Sequence, residues 1–286
     1  MIIGEAKCSW SESIGDNENS YSGHVIYLYS KTHFFGDKNS EEIEVQAGTQ
    51  SYGFECELPE LLPESLVTSN GSIEYRIEAV VRILFQNDIT VQEPFIVSRK
   101  DDLNDYPELK VPIQLEELKN FSCFRANSGS CLLTIKIPQQ GFAFGQSIPV
   151  TIACKNKSKV AIERIVVSLK QHTIFTSSSP KTKTLKKSNT MISKNIEGVA
   201  RDCSKVQQLS LPISISTVPS NGRFCSVVTI EYIVHVEAFV NCCNLNFNMK
   251  IPVSIGQVPI VYQRISIAED PTEQEVTDDE LCKYKV

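Results

Sequence analysis

Val228-Thr229-Ile230-Glu231-Tyr232-Ile233-Val234-His235-Val236-Glu237-Ala238-Phe239-Val240 alternates with a period of two. Val228, Ile230, Tyr232, Val234, Val236, Ala238 and Val240 fall on one face, and that face carries no charge. This is the pattern of a strand in an antiparallel sheet packed on a single side. The same text occurs earlier in the chain. Ile73-Glu74-Tyr75 matches Ile230-Glu231-Tyr232 at an offset of 230 − 73 = 157. Pro63 matches Pro219 at 156, Pro94-Phe95-Ile96-Val97 matches Pro252-Val253-Ser254-Ile255 at 158, and Glu78-Ala79 matches Glu237-Ala238 at 159. Solenoid repeats run about 20–50 residues; this period is the size of a whole domain.

Other segments alternate in the same way. Ile73, Tyr75, Ile77, Ala79, Val81, Ile83 and Phe85 share one face of a strand over 73–85. Ile148, Val150, Ile152 and Cys154, then Ile165, Val167 and Leu169, then Leu209, Leu211, Ile213 and Ile215, read likewise. Asn70-Gly71 and Asn221-Gly222 place turn formers before the two long strands. Helical pattern is scarce; Glu116-Glu117-Leu118-Lys119 is predicted to form one turn. The expected fold is all-β: two tandem antiparallel immunoglobulin-like sandwiches. The second copy opens near Cys131, whose counterpart falls before Met1, so the first copy is expected to lack its opening strands. The predicted units are 1–115, 122–262 and an acidic, disordered tail, 263–286. From Arg264 onward that tail holds seven Asp or Glu against three Lys or Arg.

Composition narrows the function. At 286 residues and 41% hydrophobic, the chain supports real cores, and it contains no apolar run of the roughly 18 residues that span a membrane. The stretch Met1-Ile2-Ile3-Gly4-Glu5 lacks the basic region and long apolar core of a secretory leader. Ten cysteines are scattered without a CxxC pair, which reads as reduced structural thiols, with Cys154 a small buried hydrophobe. Cys242-Cys243 has no nearby histidine to complete a metal site. His24, His33, His172 and His235 lie far apart in sequence, and none sits in a catalytic motif. Gly141-Phe142-Ala143-Phe144-Gly145 lacks the Lys-Ser/Thr of a phosphate loop and reads as a turn. No enzyme, cofactor or metal is expected.

The net charge of −6 hides an asymmetry. Residues 155–205 hold twelve Lys or Arg against Glu163, Glu197 and Asp202, a local 12 − 3 = +9. Residues 176–205, rich in Ser, Thr and Lys, read as a long loop, mobile or functional. Lys155, Lys157, Lys159, Lys181, Lys183, Lys186 and Lys187 are the candidate site for anionic membrane or phosphorylated cargo; the bland alternative is a solvated loop. Nucleic acid is not expected as a partner, because the chain is acidic overall.

Several stretches together resemble the alpha-arrestins, the arrestin-domain-containing proteins. They are Gly4-Glu5-Ala6-Lys7-Cys8-Ser9-Trp10; Tyr52-Gly53-Phe54-Glu55-Cys56-Glu57-Leu58-Pro59 with Pro63-Glu64-Ser65 and Gly71-Ser72-Ile73-Glu74-Tyr75; Gly145-Gln146-Ser147-Ile148-Pro149-Val150 with Asn156-Lys157-Ser158; and Ile251 to Ile260. The resemblance covers about 1–262. It implies a non-catalytic cytoplasmic adaptor, peripheral to the plasma membrane and endosomes. Such an adaptor binds cytosolic tails of membrane proteins, and in some settings anionic phospholipid, and supports endocytic sorting linked to ubiquitin. Ligase recruitment in that family uses PPxY motifs, and this sequence contains none, so that partner has no visible anchor here. Two other readings stay open: a retromer-like cargo subunit, and an extracellular tandem sandwich used for binding.

Overall fold

The computed structural model describes all residues except 16, 36–42, 45, 84, 124–125, 241–245 and 263–286. The predicted acidic tail therefore lies outside the described residues. Fourteen strands follow in order among those described: β1 (Ile2–Ile14), β2 (Asn17–Ser30), β3 (Leu66–Val67), β4 (Gly71–Val81), β5 (Ile89–Phe95), β6 (Ile113–Cys123), β7 (Ala126–Ile137), β8 (Gly141–Ala143), β9 (Ser147–Ser158), β10 (Ile162–Ser177), β11 (Lys183–Val199), β12 (Ser204–Pro212), β13 (Val228–Val240) and β14 (Phe247–Gly256). Two short 3-10 turns, Leu103–Asp105 and Pro107–Lys110, are the only helical elements among the described residues.

The internal repeat becomes a repeat of sheet order. β1 pairs with β2 and β4, and β4 pairs with β5, giving β2-β1-β4-β5 with β3 also on the β4 edge. In the second half β11-β10-β13-β14 follows the same order, extended by β8. Both repeated tyrosines make the same bond. Tyr75 Oη donates to the Pro63 carbonyl and Tyr232 Oη to the Val218 carbonyl, each at 2.6 Å. In each case a buried ring in the long strand anchors the segment that leads into it, and a buried phenol needs such a partner.

The two copies differ in what covers them. In the second half a four-stranded sheet, β12-β9-β7-β6, packs face to face on its partner. Leu133, Ile135, Ile148 and Ile152 meet Ile165, Val167, Val234, Val236 and Ile251 in one buried cluster. In the first half no second sheet faces β2-β1-β4-β5 among the described residues. Part of that face is filled by Leu62 and by Phe175, Cys225, Val227 and Val228 of the second half, packed on Ala6, Trp10, Ile73 and Tyr75. Further along the hairpin, Val81, Ile89 and Val91 are 41%, 54% and 63% exposed, where their counterparts on β13 and β14 are buried.

Four sequence expectations need correction. The strand over 73–85 stops at Val81, and Phe85 is fully exposed in the left-handed region at φ 59°. β12 stops at Pro212, and Ile215 is exposed. Glu116 to Lys119 lie in β6 because pairing with β7 overrides weak local helix propensity. Gly141–Ala143 is a strand rather than a turn, and it pairs in parallel with β14.

Candidate functional site

The largest correction falls on the candidate site. Residues 183–199 form a seventeen-residue strand paired along its length with β10. The alternation is hidden by a bulge. Leu185 lies opposite Phe175 and Ile192 opposite Leu169, while Met191 is the extra residue that shifts the register. Inward positions are odd-numbered before Met191 and even-numbered after it. Six successive residues, Lys186 to Met191, are exposed, so polar side chains occupy both faces.

The seven candidate lysines separate into two groups on different sheets. Lys155 and Lys157 stand on the outer face of β9, alternating with buried Cys154, Asn156 and Ser158, and Lys159 follows in the turn. The alternation is held by Asn156. Its side-chain amide donates to the carbonyls of Val160 at 2.8 Å and Ala200 at 3.0 Å. Its Oδ1 accepts from the Ser158 hydroxyl at 2.6 Å. The other four lysines lie on the β10–β11 hairpin. Lys183 is half-buried against the first half: its ammonium pairs with Glu12 and sits 4.8 Å from the centre of the Tyr21 ring. Glu12 also accepts from Trp10 Nε1 at 3.2 Å, and Trp10 stacks on Tyr21. Lys187 donates to the Ser69 hydroxyl at 2.9 Å. Lys181 and Lys186 are exposed. Lys183 is thus a structural link between the two halves, and sequence reasoning could not tell it from its neighbours.

The same junction brings the backbones together. Ser22 and Ser179 bridge as neighbouring strands, with Ser22 N–H donating to the Ser179 carbonyl at 2.9 Å. A Cβ on Gly23 would lie 2.3 Å from the Thr176 carbonyl oxygen, so only glycine permits the approach.

A second charged cluster, absent from the sequence reading, lies on the outer face of β1. Glu5 is 5% exposed and accepts from Lys7 at 2.6 Å, from Arg76, and contacts His24 Nε2 at 2.7 Å. Burial pushes its carboxyl upward, but these three partners outweigh that and hold it at about 2. Its neighbours explain the local sequence. A Cβ on Gly4 would strike the Tyr75 ring at 2.4 Å, and Ala6 is fully buried. Among the described residues no group of His, Cys, Asp and Glu could hold a metal, and Cys8, Cys56, Cys131, Cys154, Cys203 and Cys225 are free. No helix among them is long and apolar enough to cross a membrane.

Comparison with known proteins gives two family matches. Residues 1–104 match the N-terminal domain of arrestin (or S-antigen), and residues 127–260 match its C-terminal domain. Mouse arrestin domain-containing protein 4 is 24% identical over 266 residues, covering 90% of this chain and 62% of the relative. The human protein of that name is 26% identical over 219 residues, covering 76% and 50%. The chain therefore spans between half and two thirds of the length of these curated relatives.

Proposed function

Because the chain belongs to the arrestin family, whose members are non-enzymatic adaptors, we propose that it binds cytosolic tails of membrane-protein cargo. In this reading it supports their endocytic and endosomal trafficking and ubiquitin-linked sorting, working in the cytoplasm at the plasma membrane and endosomes. We take the predicted units 1–115 and 122–262 as its two docking modules, with the boundary moved so that all of β6 (Ile113–Cys123), which pairs with β7, belongs to the second, and with 263–286 as an acidic tail. The observation that carries the reading is charge. From Arg164 to Ile196 the β10–β11 hairpin holds seven Lys or Arg and no carboxylate, which suits acidic or phosphorylated tails. The outward Lys155 and Lys157 favour a second contact, with anionic phospholipid. No PPxY occurs in these 286 residues, so ligase recruitment has no visible anchor within them.

The test is uptake of a membrane reporter with an acidic cytosolic tail, in cells expressing the chain or a Lys181→Glu, Lys186→Glu, Lys187→Glu variant. Lys183 is left intact to preserve the junction. The wild type is expected to accelerate uptake and the variant to lose most of that effect. Equal uptake with and without the wild-type chain would overturn the reading.

A further inference from the structure

β11 is the outermost strand of its sheet and pairs with β10 alone. Over Lys186 to Met191 neither face is covered, so the strand offers solvent a free edge and two open faces. Such an edge is a template for another strand. Its charge is one-sided. Lys170 has Glu237 at 3.8 Å and Lys183 has Glu12, but Lys186 and Lys194 pair with no carboxylate among the described residues. The field there is positive enough to be felt by a neighbour. His172, on β10, is held below its ordinary pKa by burial and by Lys186, Lys250 and Lys170. Over residues 186–195 this edge carries three lysines and no carboxylate, its one carboxylate, Glu197, lying beyond and paired with Lys205. By contrast, β2, β5 and β6 carry Glu18, Glu93 and Glu116-Glu117, and the edge strand β12 carries the single lysine Lys205.

We infer that β11 is a docking edge for an extended acidic peptide, which adds as a further strand beside residues 186–195. This rests on the adaptor reading and names its partner. Alternation sends Lys186 and Lys187 to opposite faces of the sheet. A planar bilayer lies against one face, whereas an added strand presents side chains to both. Adjacent acidic residues of the peptide would meet Lys186 on one side and Lys187 on the other, with Lys194 further along. Backbone hydrogen bonds supply affinity, and the lysines supply selection. The same lysines repel a second copy of this strand, which keeps the edge open for an acidic partner.

The experiment uses the whole chain and a fluorescent ten-residue peptide of alternating valine and adjacent Asp-Glu pairs, read by anisotropy at low salt. Two further peptides are N-methylated on the odd or on the even backbone nitrogens. Lys186→Ser with Lys187→Ser is expected to weaken binding at least about tenfold, as is one methylation pattern but not the other. Equal binding of both methylated peptides would reduce the contact to bulk charge and overturn the inference. So would lysine-dependent binding to phosphatidylserine vesicles without peptide binding. If the peptide fails while the chain still accelerates reporter uptake, the docking edge is wrong and the adaptor reading stands.

Discussion

The sheets β2-β1-β4-β5 and β11-β10-β13-β14 follow one strand order, yet Val236, four residues past Tyr232, is fully buried on the second while Ala79, four residues past Tyr75, is exposed on the first. Strand order and cover are therefore separable. Backbone pairing and the tyrosine anchors build the sheet in both halves. The hydrophobic core comes from a facing sheet in one half, and in the other from a loop and a borrowed strip of the second half. A sheet with a packed face should be stiff and sensitive to truncation, and the uncovered hairpin should not.

The sharpest way to break that comparison is a matched pair of truncations. Met249 lies opposite Val236 on β14, and Val91 lies opposite Ala79 on β5. Met249→Ala is expected to cost about 2–4 kcal/mol of unfolding free energy by urea denaturation, and Val91→Ala less than about 0.5 kcal/mol. Similar losses at both sites would mean that the β4–β5 hairpin is covered after all.

Next in size is the charged cluster peculiar to the first half. Glu5 has a folded pKa of about 2 against an ordinary value of 4.5. The native state therefore binds fewer protons than the unfolded state between these values. The contribution is complete above pH 4.5 and lost as the pH falls toward 2. Glu5→Gln is expected to lower stability by about 2 kcal/mol at pH 7. The gap between variant and wild type should close on acidification across that window. A gap independent of pH would show that shape, rather than charge, holds the site.

The smallest effect tests where the halves should agree. Tyr232 Oη also accepts from Gln171 Nε2 at 2.7 Å, so the comparison is made in a Gln171→Ala background. There Tyr75→Phe and Tyr232→Phe each remove one hydrogen bond of 2.6 Å and should each cost about 1 kcal/mol. Unequal costs would mean that the two anchors are not equivalent.

What the sequence revealed depended on how evenly each strand is covered. β13 was legible because one face is wholly buried, so every second residue from Val228 to Val240 is apolar. β11 was not, because it lies at an edge with both faces wet and Met191 interrupts the register. Leu185 and Ile192 both pack inward but fall on opposite parities. The overreach at Phe85 and Ile215 has the opposite cause: alternation ran on in the text past the last pairing residue. The basic stretch was found as charge, but its division was hidden. Nothing local marks Lys183 as the partner of Glu12, which is 171 residues away. Glu5 likewise needed β4 beside it to supply Arg76.

Hydrogen–deuterium exchange on the whole chain tests the central claim, one sheet built twice and covered once. Amides of Val234 to Ala238 should stay protected for hours, while those of Ala79 to Val81 and Ile89 to Val91 should exchange within minutes. Equal, long-lived protection in both hairpins would contradict it.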